Sequence, residues 1–127
     1  MLNLYKVYTV FLVNSFLIYS IDNVSNQINL ESDVMNVQHE SNETKGVFFI
    51  EREGERIAHM TYSKWGNQKF IIDHTEVSDA LRGKGAGKQL VMAAVSYARE
   101  NEMKILPLCP FAQSVFGKMK EIQDVLS

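Results

Sequence analysis

The sequence predicts an α/β domain built on a mostly antiparallel mixed sheet with one parallel pair and two packed helices. Three observations lead there. Residues 47–77 read as three strands joined by short turns, which is an antiparallel meander. Residues 70–88 then run from a strand through a glycine-rich basic turn into a helix. A further apolar strand follows that helix at residues 104–108, and such a crossover makes it parallel to the strand before the helix.

Composition sets the outer bounds. The chain has 127 residues, 46% apolar and 22% charged, which allows one globular domain with a modest core. A net charge of −2 gives no bulk attraction to nucleic acid, so no nucleic-acid partner is expected. One cysteine excludes an internal disulfide framework and suits a reducing, cytoplasmic compartment. His39, His59, His74 and Cys109 show no paired spacing, so no metal site is expected.

Residues 1–44 form an N-terminal extension and linker, and residues 45–127 form the domain. Residues 4–21 are largely apolar. Three readings stand: a signal or membrane anchor, an extra helix, or an upstream extension from a mis-assigned start, with Met35 opening the working chain. No membrane contact is expected unless residues 4–21 act as an anchor. Residues 20–44 are rich in Asn, Ser, Gln and Glu and read as a linker with little order.

Residues 47–51 are the first strand, Glu53-Gly54 a turn, and residues 56–63 the second strand. There Ala58, Met60 and Tyr62 alternate with polar neighbours, the period of a half-buried strand. Gly66-Asn67 turns the chain into the third strand, residues 70–77. On that strand Phe70, Ile72, His74 and Glu76 are expected on one face. Residues 87–101 read as a helix whose Leu90, Ala94, Tyr97 and Ala98 make a stripe widened by Val91 and Val95. Pro107 sits near the end of the next strand, which suits an edge or splayed position. Residues 110–120 read as a second helix with proline in its first turn and a buried stripe of Phe111, Val115 and Met119. Residues 122–126 are expected to close the chain as a short strand.

The chemistry concentrates at Leu81-Arg82-Gly83-Lys84-Gly85-Ala86-Gly87-Lys88. Glycines let the backbone approach a ligand closely and adopt positive φ. The helix start offers unpaired N–H groups and the positive end of its dipole, and Arg82, Lys84 and Lys88 add charge. Strand, glycine turn and helix N-terminus together make a pyrophosphate site. A Walker P-loop does not fit: its first glycine would fall at Arg82, and Gln89 replaces the Ser or Thr after Lys88. The Rossmann GxGxxG pattern fails as well, because Lys88 or Leu90 occupies its last position.

Arg82-x-x-Gly85-x-Gly87, with Val77 closing the strand before it, resembles the acyl-CoA signature of the GNAT superfamily of N-acetyltransferases. His74-Thr75-Glu76-Val77, Tyr97-Ala98-Arg99-Glu100 and Pro107-Leu108-Cys109-Pro110-Phe111 extend the likeness to its small stand-alone members. The resemblance implies a GNAT-like fold, acetyl-CoA as cosubstrate, and acetyl transfer to a primary amine of a protein side chain or small molecule. It implies an acyl-CoA cleft between the diverging strands of the parallel pair, bordered by Val77 and residues 81–88. It also implies carbonyl polarisation by a backbone N–H near Val77. The alternative is a non-catalytic module that binds CoA or acyl-CoA as a regulatory ligand.

Three residues are candidates for catalysis. Glu76 or His74 would take a proton from the attacking amine. Cys109, just before a helix, is either an acetyl-accepting nucleophile or a small buried hydrophobe. Two departures from the superfamily pattern stand out. The second helix carries Phe111 and Phe116 but no tyrosine to serve as general acid, and Tyr97 reads as core. The short turn at residues 53–54 leaves no room for helices over the acceptor side, which should be open.

Overall fold

The computed structural model describes residues 35–127. The segment at residues 4–21, with its three readings, lies outside the described residues. The sheet has five strands in sequence order: β1 (Val37–Ser41), β2 (Lys45–Arg52), β3 (Glu55–Trp65), β4 (Lys69–Val77) and β5 (Lys104–Pro107). The first four pair antiparallel, and β5 pairs parallel to β4 across the connecting helix α1 (Ala86–Glu100). A second helix, α2 (Pro110–Lys118), follows β5. This is the predicted mixed sheet with its parallel pair and two helices. Among the described residues no helix is long and apolar enough to cross a membrane.

Alternation in β3 sets the buried face. Ala58, Met60 and Tyr62 are buried there, together with Phe48 and Ile50 of β2 and Phe70 and Ile72 of β4. Helix α1 covers that face with Leu90, Val91, Ala94, Val95 and Ala98. Each large side chain fully buried this way contributes about 1.5–3 kcal/mol. Asn101 ends α1 as expected, its side-chain amide donating to the Tyr97 carbonyl at 2.9 Å.

Four expectations need correction. The linker reading overran the fold, because Val37–Ser41 is the edge strand β1, paired with β2. Its exposed His39 lies across the ladder from Phe48 and stacks on it with ring centroids 4.2 Å apart, so an imidazole covers an apolar ring at the sheet edge. The last strand, expected at residues 122–126, is a 3-10 turn over Lys120–Val125 followed by a single bridge from Leu126 to Ile105. Ile122 and Val125 are buried three residues apart, the 3-10 period. Arg99 and Lys104 hold this turn, Arg99 at 2.7 Å from the Asp124 carboxylate and Lys104 at 2.7 Å from its carbonyl. In α2 the buried stripe is Ala112 and Phe116, one residue on from the stripe expected.

The fourth correction concerns β4. Tyr62 pairs with Ile72 and Thr61 with His74, so Asp73 has no partner on β3 and forms a β-bulge. A bulge adds one residue and reverses the facing of everything after it. Thr75 and Val77 therefore share the face of Met60 and Ala58, whereas His74 and Glu76 share the face of Thr61 and His59. His74 and Glu76 do not follow Phe70 and Ile72 onto the helix side.

Candidate functional site

The parallel pairing of β4 with β5 runs from Lys69–Lys104 to Ile72–Pro107 and stops. Pro107 has no N–H to continue a ladder. The next two N–H groups, of Leu108 and Cys109, both donate to the Ile72 carbonyl at 3.0 and 3.1 Å. The chain then turns into α2, and the two strands part. A groove of about 670 Å³ opens beyond this point, between the end of β4, the glycine turn and α2.

The turn is anchored by Leu81, 1% exposed, at the end of a short 3-10 turn over Asp79–Leu81. Gly83 and Gly85 follow with φ of +79° and +80°, the left-handed region where side chains are strained. Gly85 is the N-cap of α1. The first intrahelical bond runs from the Gln89 N–H to the Gly85 carbonyl. The N–H groups of Ala86, Gly87 and Lys88 precede it and have no helical acceptor. Gly87 is needed for a different reason: it is helical, and a Cβ there would collide with the Phe111 ring of α2.

Every residue of the predicted cofactor set lines this groove except Lys84, which sits exposed at the tip of the turn. Arg82 and Lys88 line the groove, and Arg82 pairs with Asp79 at 2.8 Å. The sequence reading missed the opposite wall. Phe111, Val115 and Met119, expected in the core, are the apolar wall contributed by α2, and Ser114 and Lys118 add a hydroxyl and a cation. A helix with two adjacent apolar stripes was the available signal: one stripe goes to the core and the other to the groove. The set fits a chain that carries a pyrophosphate at one end and an apolar arm at the other. Unpaired N–H groups and cations lie at the glycine turn, and carbon-rich side chains line the far wall.

The three catalytic candidates separate. Cys109 is buried and caps α2 at the strand gap, where its Sγ–H donates to the Thr75 hydroxyl at 3.3 Å. Thr75 lines the groove, and because it accepts from Cys109 its own proton is free to be donated. His74 and Glu76 lie on the other face of the sheet with His59, whose spacing in the sequence gave no link to them. His59 Nε2 is 3.6 Å and His74 Nε2 is 4.0 Å from the same Glu76 oxygen. Glu76 is directly across the β3–β4 ladder from His59, a relation that only the register reveals. Glu76, His59 and Val77 border a small cleft with Ser78, whose buried hydroxyl has no protein partner.

Tyr97 lies in an aromatic cluster with His39, Phe48, Tyr62 and Phe70, and it does not line the groove. His39 Nε2 is 2.9 Å from the Tyr62 hydroxyl. Burial, and then the charge of Lys64, hold the His39 pKa below its ordinary value. Burial, and then the hydroxyl of Tyr97, raise that of Tyr62.

Comparison with known proteins gives a consistent picture. Residues 47–125 match the family model of the GCN5-related N-acetyltransferases. The solution structure of a GCN5-like protein from Staphylococcus aureus is 41% identical, with a TM-score of 0.56, over 72% of this chain and 89% of that one. A ribosomal-protein-alanine N-acetyltransferase from Brucella melitensis shares the fold, with a TM-score of 0.53 at 17% identity over 61% of this chain and 62% of its own. Protein NATD1 of Xenopus tropicalis is 36% identical over 54 residues, 42% of this chain and 50% of its own length. The human protein of that name is 35% identical over the same length, 48% of its own. The chain thus spans about half the length of the curated relatives it matches.

Proposed function

The chain belongs to the GCN5-related N-acetyltransferase family, and on that premise we propose that it transfers an acetyl group from acetyl-CoA to a primary amine of a protein or small molecule. The observation that carries the proposal is the groove at the β4–β5 gap, which gathers the glycine turn, the start of α1 and the apolar side of α2. The pyrophosphate of CoA would accept from the N–H groups of Gly83, Gly85, Ala86, Gly87 and Lys88, with Arg82, Lys88 and Lys118 supplying charge. Val77 and Leu81 would border the cofactor beside the turn, and Phe111, Val115 and Met119 would cover its pantetheine arm. Lys84, away from the groove, would act through long-range attraction alone.

The thioester would then lie at the strand gap, near Thr75 and Cys109. The acceptor amine would arrive from the opposite face, which the short β2–β3 turn leaves open. There Glu76 or His74 would take the ammonium proton, and the freed nitrogen would attack the thioester carbonyl. A backbone N–H near Val77 would polarise that carbonyl. As the C–S bond breaks, the leaving thiolate needs a proton or a donor. The groove offers the Thr75 and Ser114 hydroxyls where relatives of the superfamily use a tyrosine. The buried Cys109, already donating to Thr75, suits a positioning role better than a covalent one. The setting is the cytoplasm.

A thermal unfolding titration with acetyl-CoA, with ATP and NAD as controls, tests the first half. Ligand at a hundred times its dissociation constant adds about 2.7 kcal/mol. For a domain of this size that raises the midpoint by about 10 °C or more. A shift with ATP but not acetyl-CoA would withdraw the reading. Release of free thiol from acetyl-CoA on addition of lysine peptides or polyamines tests the second half. Tight binding with no amine-dependent release would favour the regulatory CoA-binding module instead.

A further inference from the structure

We propose that His59, His74 and Glu76 form a binding site for a divalent transition-metal ion such as Zn²⁺, on the sheet face opposite the groove. Their ligating atoms all lie within 4.8 Å of one another. Two of the separations, 3.6 Å from His59 and 4.0 Å from His74, converge on one oxygen of Glu76. Two ligands bound to zinc at ~2.1 Å with a tetrahedral angle are about 3.4 Å apart. Closing the trio around an ion therefore takes small side-chain rotations and no backbone movement.

The scaffold is what makes the trio a set. His59 and Glu76 are direct partners across the antiparallel β3–β4 ladder. His74 and Glu76 are two residues apart on one strand and so share a face. The bulge at Asp73 turns both toward His59, and without it they would point to the helix side. This explains why histidines fifteen residues apart in sequence gave no spacing signal. Among the described residues the ion-pair partners of Glu76 are these two histidines, with no Lys or Arg competing for its carboxylate.

Two imidazoles and one carboxylate suit zinc, cobalt, nickel or copper, and not magnesium or calcium, which take oxygen ligands. His59 is half-buried while His74 and Glu76 are exposed, which leaves the remaining coordination position open to water or to an incoming ligand. Metal binding needs nothing from the acetyltransfer reading. Its consequence for activity does rest on that reading. An ion held by the lone pairs of His74 and Glu76 removes the groups that would accept the amine proton, so occupancy would inhibit transfer and a chelator would restore it.

The test uses the full chain without added cofactor. Zn²⁺ is titrated by calorimetry, Co²⁺ is titrated in parallel by its visible absorption, and Mg²⁺ is the control. One equivalent of Zn²⁺ should bind, Co²⁺ should give the band of a low-symmetry nitrogen-ligated site, and Mg²⁺ should not compete. His59→Ala, His74→Ala and Glu76→Gln should each weaken Zn²⁺ by at least about tenfold. His39→Gln, which alters the chain's third histidine, should leave the affinity unchanged. Circular dichroism of each variant establishes that the fold is retained. Absence of Zn²⁺ binding below millimolar concentration would overturn the proposal. So would an affinity indifferent to all three ligand variants. Neither outcome depends on acetyl-CoA, so failure of the metal site and failure of the acetyltransfer reading are read separately.

Discussion

Thr61 donates its hydroxyl hydrogen bond to the carboxylate of Asp73, the residue of β4 that has no partner in the β3 ladder. Ser63 donates to the other carboxylate oxygen at 3.1 Å. The bulge is thus held by side chains from the strand it fails to pair with. Every candidate site residue on β4 takes its facing from it. It sends Thr75 and Val77 to the groove and His74 and Glu76 to the open face, so the two sides of the β4–β5 gap carry different chemistry.

Replacing Thr61 by Val should loosen this device while keeping the strand's shape. The lost charge-assisted bond should cost about 1 kcal/mol of stability, given its partial exposure. Denaturant unfolding measures that loss. Deleting Asp73 removes the extra residue itself, so the ladder can run regularly with the same pairs on either side, Tyr62 with Ile72 and Thr61 with His74. Thr75 and Val77 then keep their facing, and the deletion should retain acetyl-CoA binding where the protein folds. Loss of binding in a folded deletion variant would show that the local bend of the bulge, and not only the facing it sets, matters for the cofactor.

Gly85→Asp should abolish acetyl-CoA binding, and Gly85→Ala separates the reasons. Both put a side chain at φ +80°, which costs about 1–2 kcal/mol of strain. The aspartate also sets a negative charge at the helix N-terminus where the pyrophosphate would sit. Alanine should therefore lower stability with a modest loss of affinity, while aspartate should match its stability and bind nothing. Equal affinities in the two variants, measured by calorimetry, would remove the pyrophosphate from this turn.

These outcomes also show where the sequence was readable. Turn, strand and helix around residues 70–88 could be read because glycine, charge and β-branched residues each make a local demand. The bulge could not be read with the same ease. Ile71-Ile72 followed by Asp73-His74 breaks strict alternation, but such a break is equally consistent with a strand end. Edge strand β1 has one apolar residue, Val37, and its exposed His39 lays a flat ring beside Phe48, which polarity scales hide. The α2 wall was misassigned because Phe111, Val115 and Met119 are apolar at helical spacing whether they face a core or a groove. The His59–Glu76 pairing depends on register, which one strand cannot report about another.

Lys118 offers a test of the groove's far wall. It lines the groove from the last turn of α2, where no local motif marks it. If it meets a cofactor phosphate, Lys118→Ala should weaken acetyl-CoA binding about two- to fivefold, the range of one exposed charge pair. The loss should shrink at high salt. The effect should fall on KM and leave kcat nearly unchanged, because the contact is the same before and during transfer. A change in kcat alone would place Lys118 elsewhere in the reaction.

His39 should make stability depend on pH. Its folded pKa lies below the ordinary 6.5, chiefly through burial and then through Lys64. The unfolded chain therefore binds its proton first as pH falls, and protonation favours unfolding. The sign follows: the contribution is fully present above pH 6.5, declines as pH drops below it, and is lost once pH passes through the folded value. His39→Gln cannot titrate there, so its unfolding free energy should fall less than that of the parent over the same interval. Denaturant unfolding of both proteins at a series of pH values from neutral downward measures the difference. Parallel curves would mean that His39 keeps its ordinary pKa in the folded protein, and that its stack on Phe48 leaves it open to water.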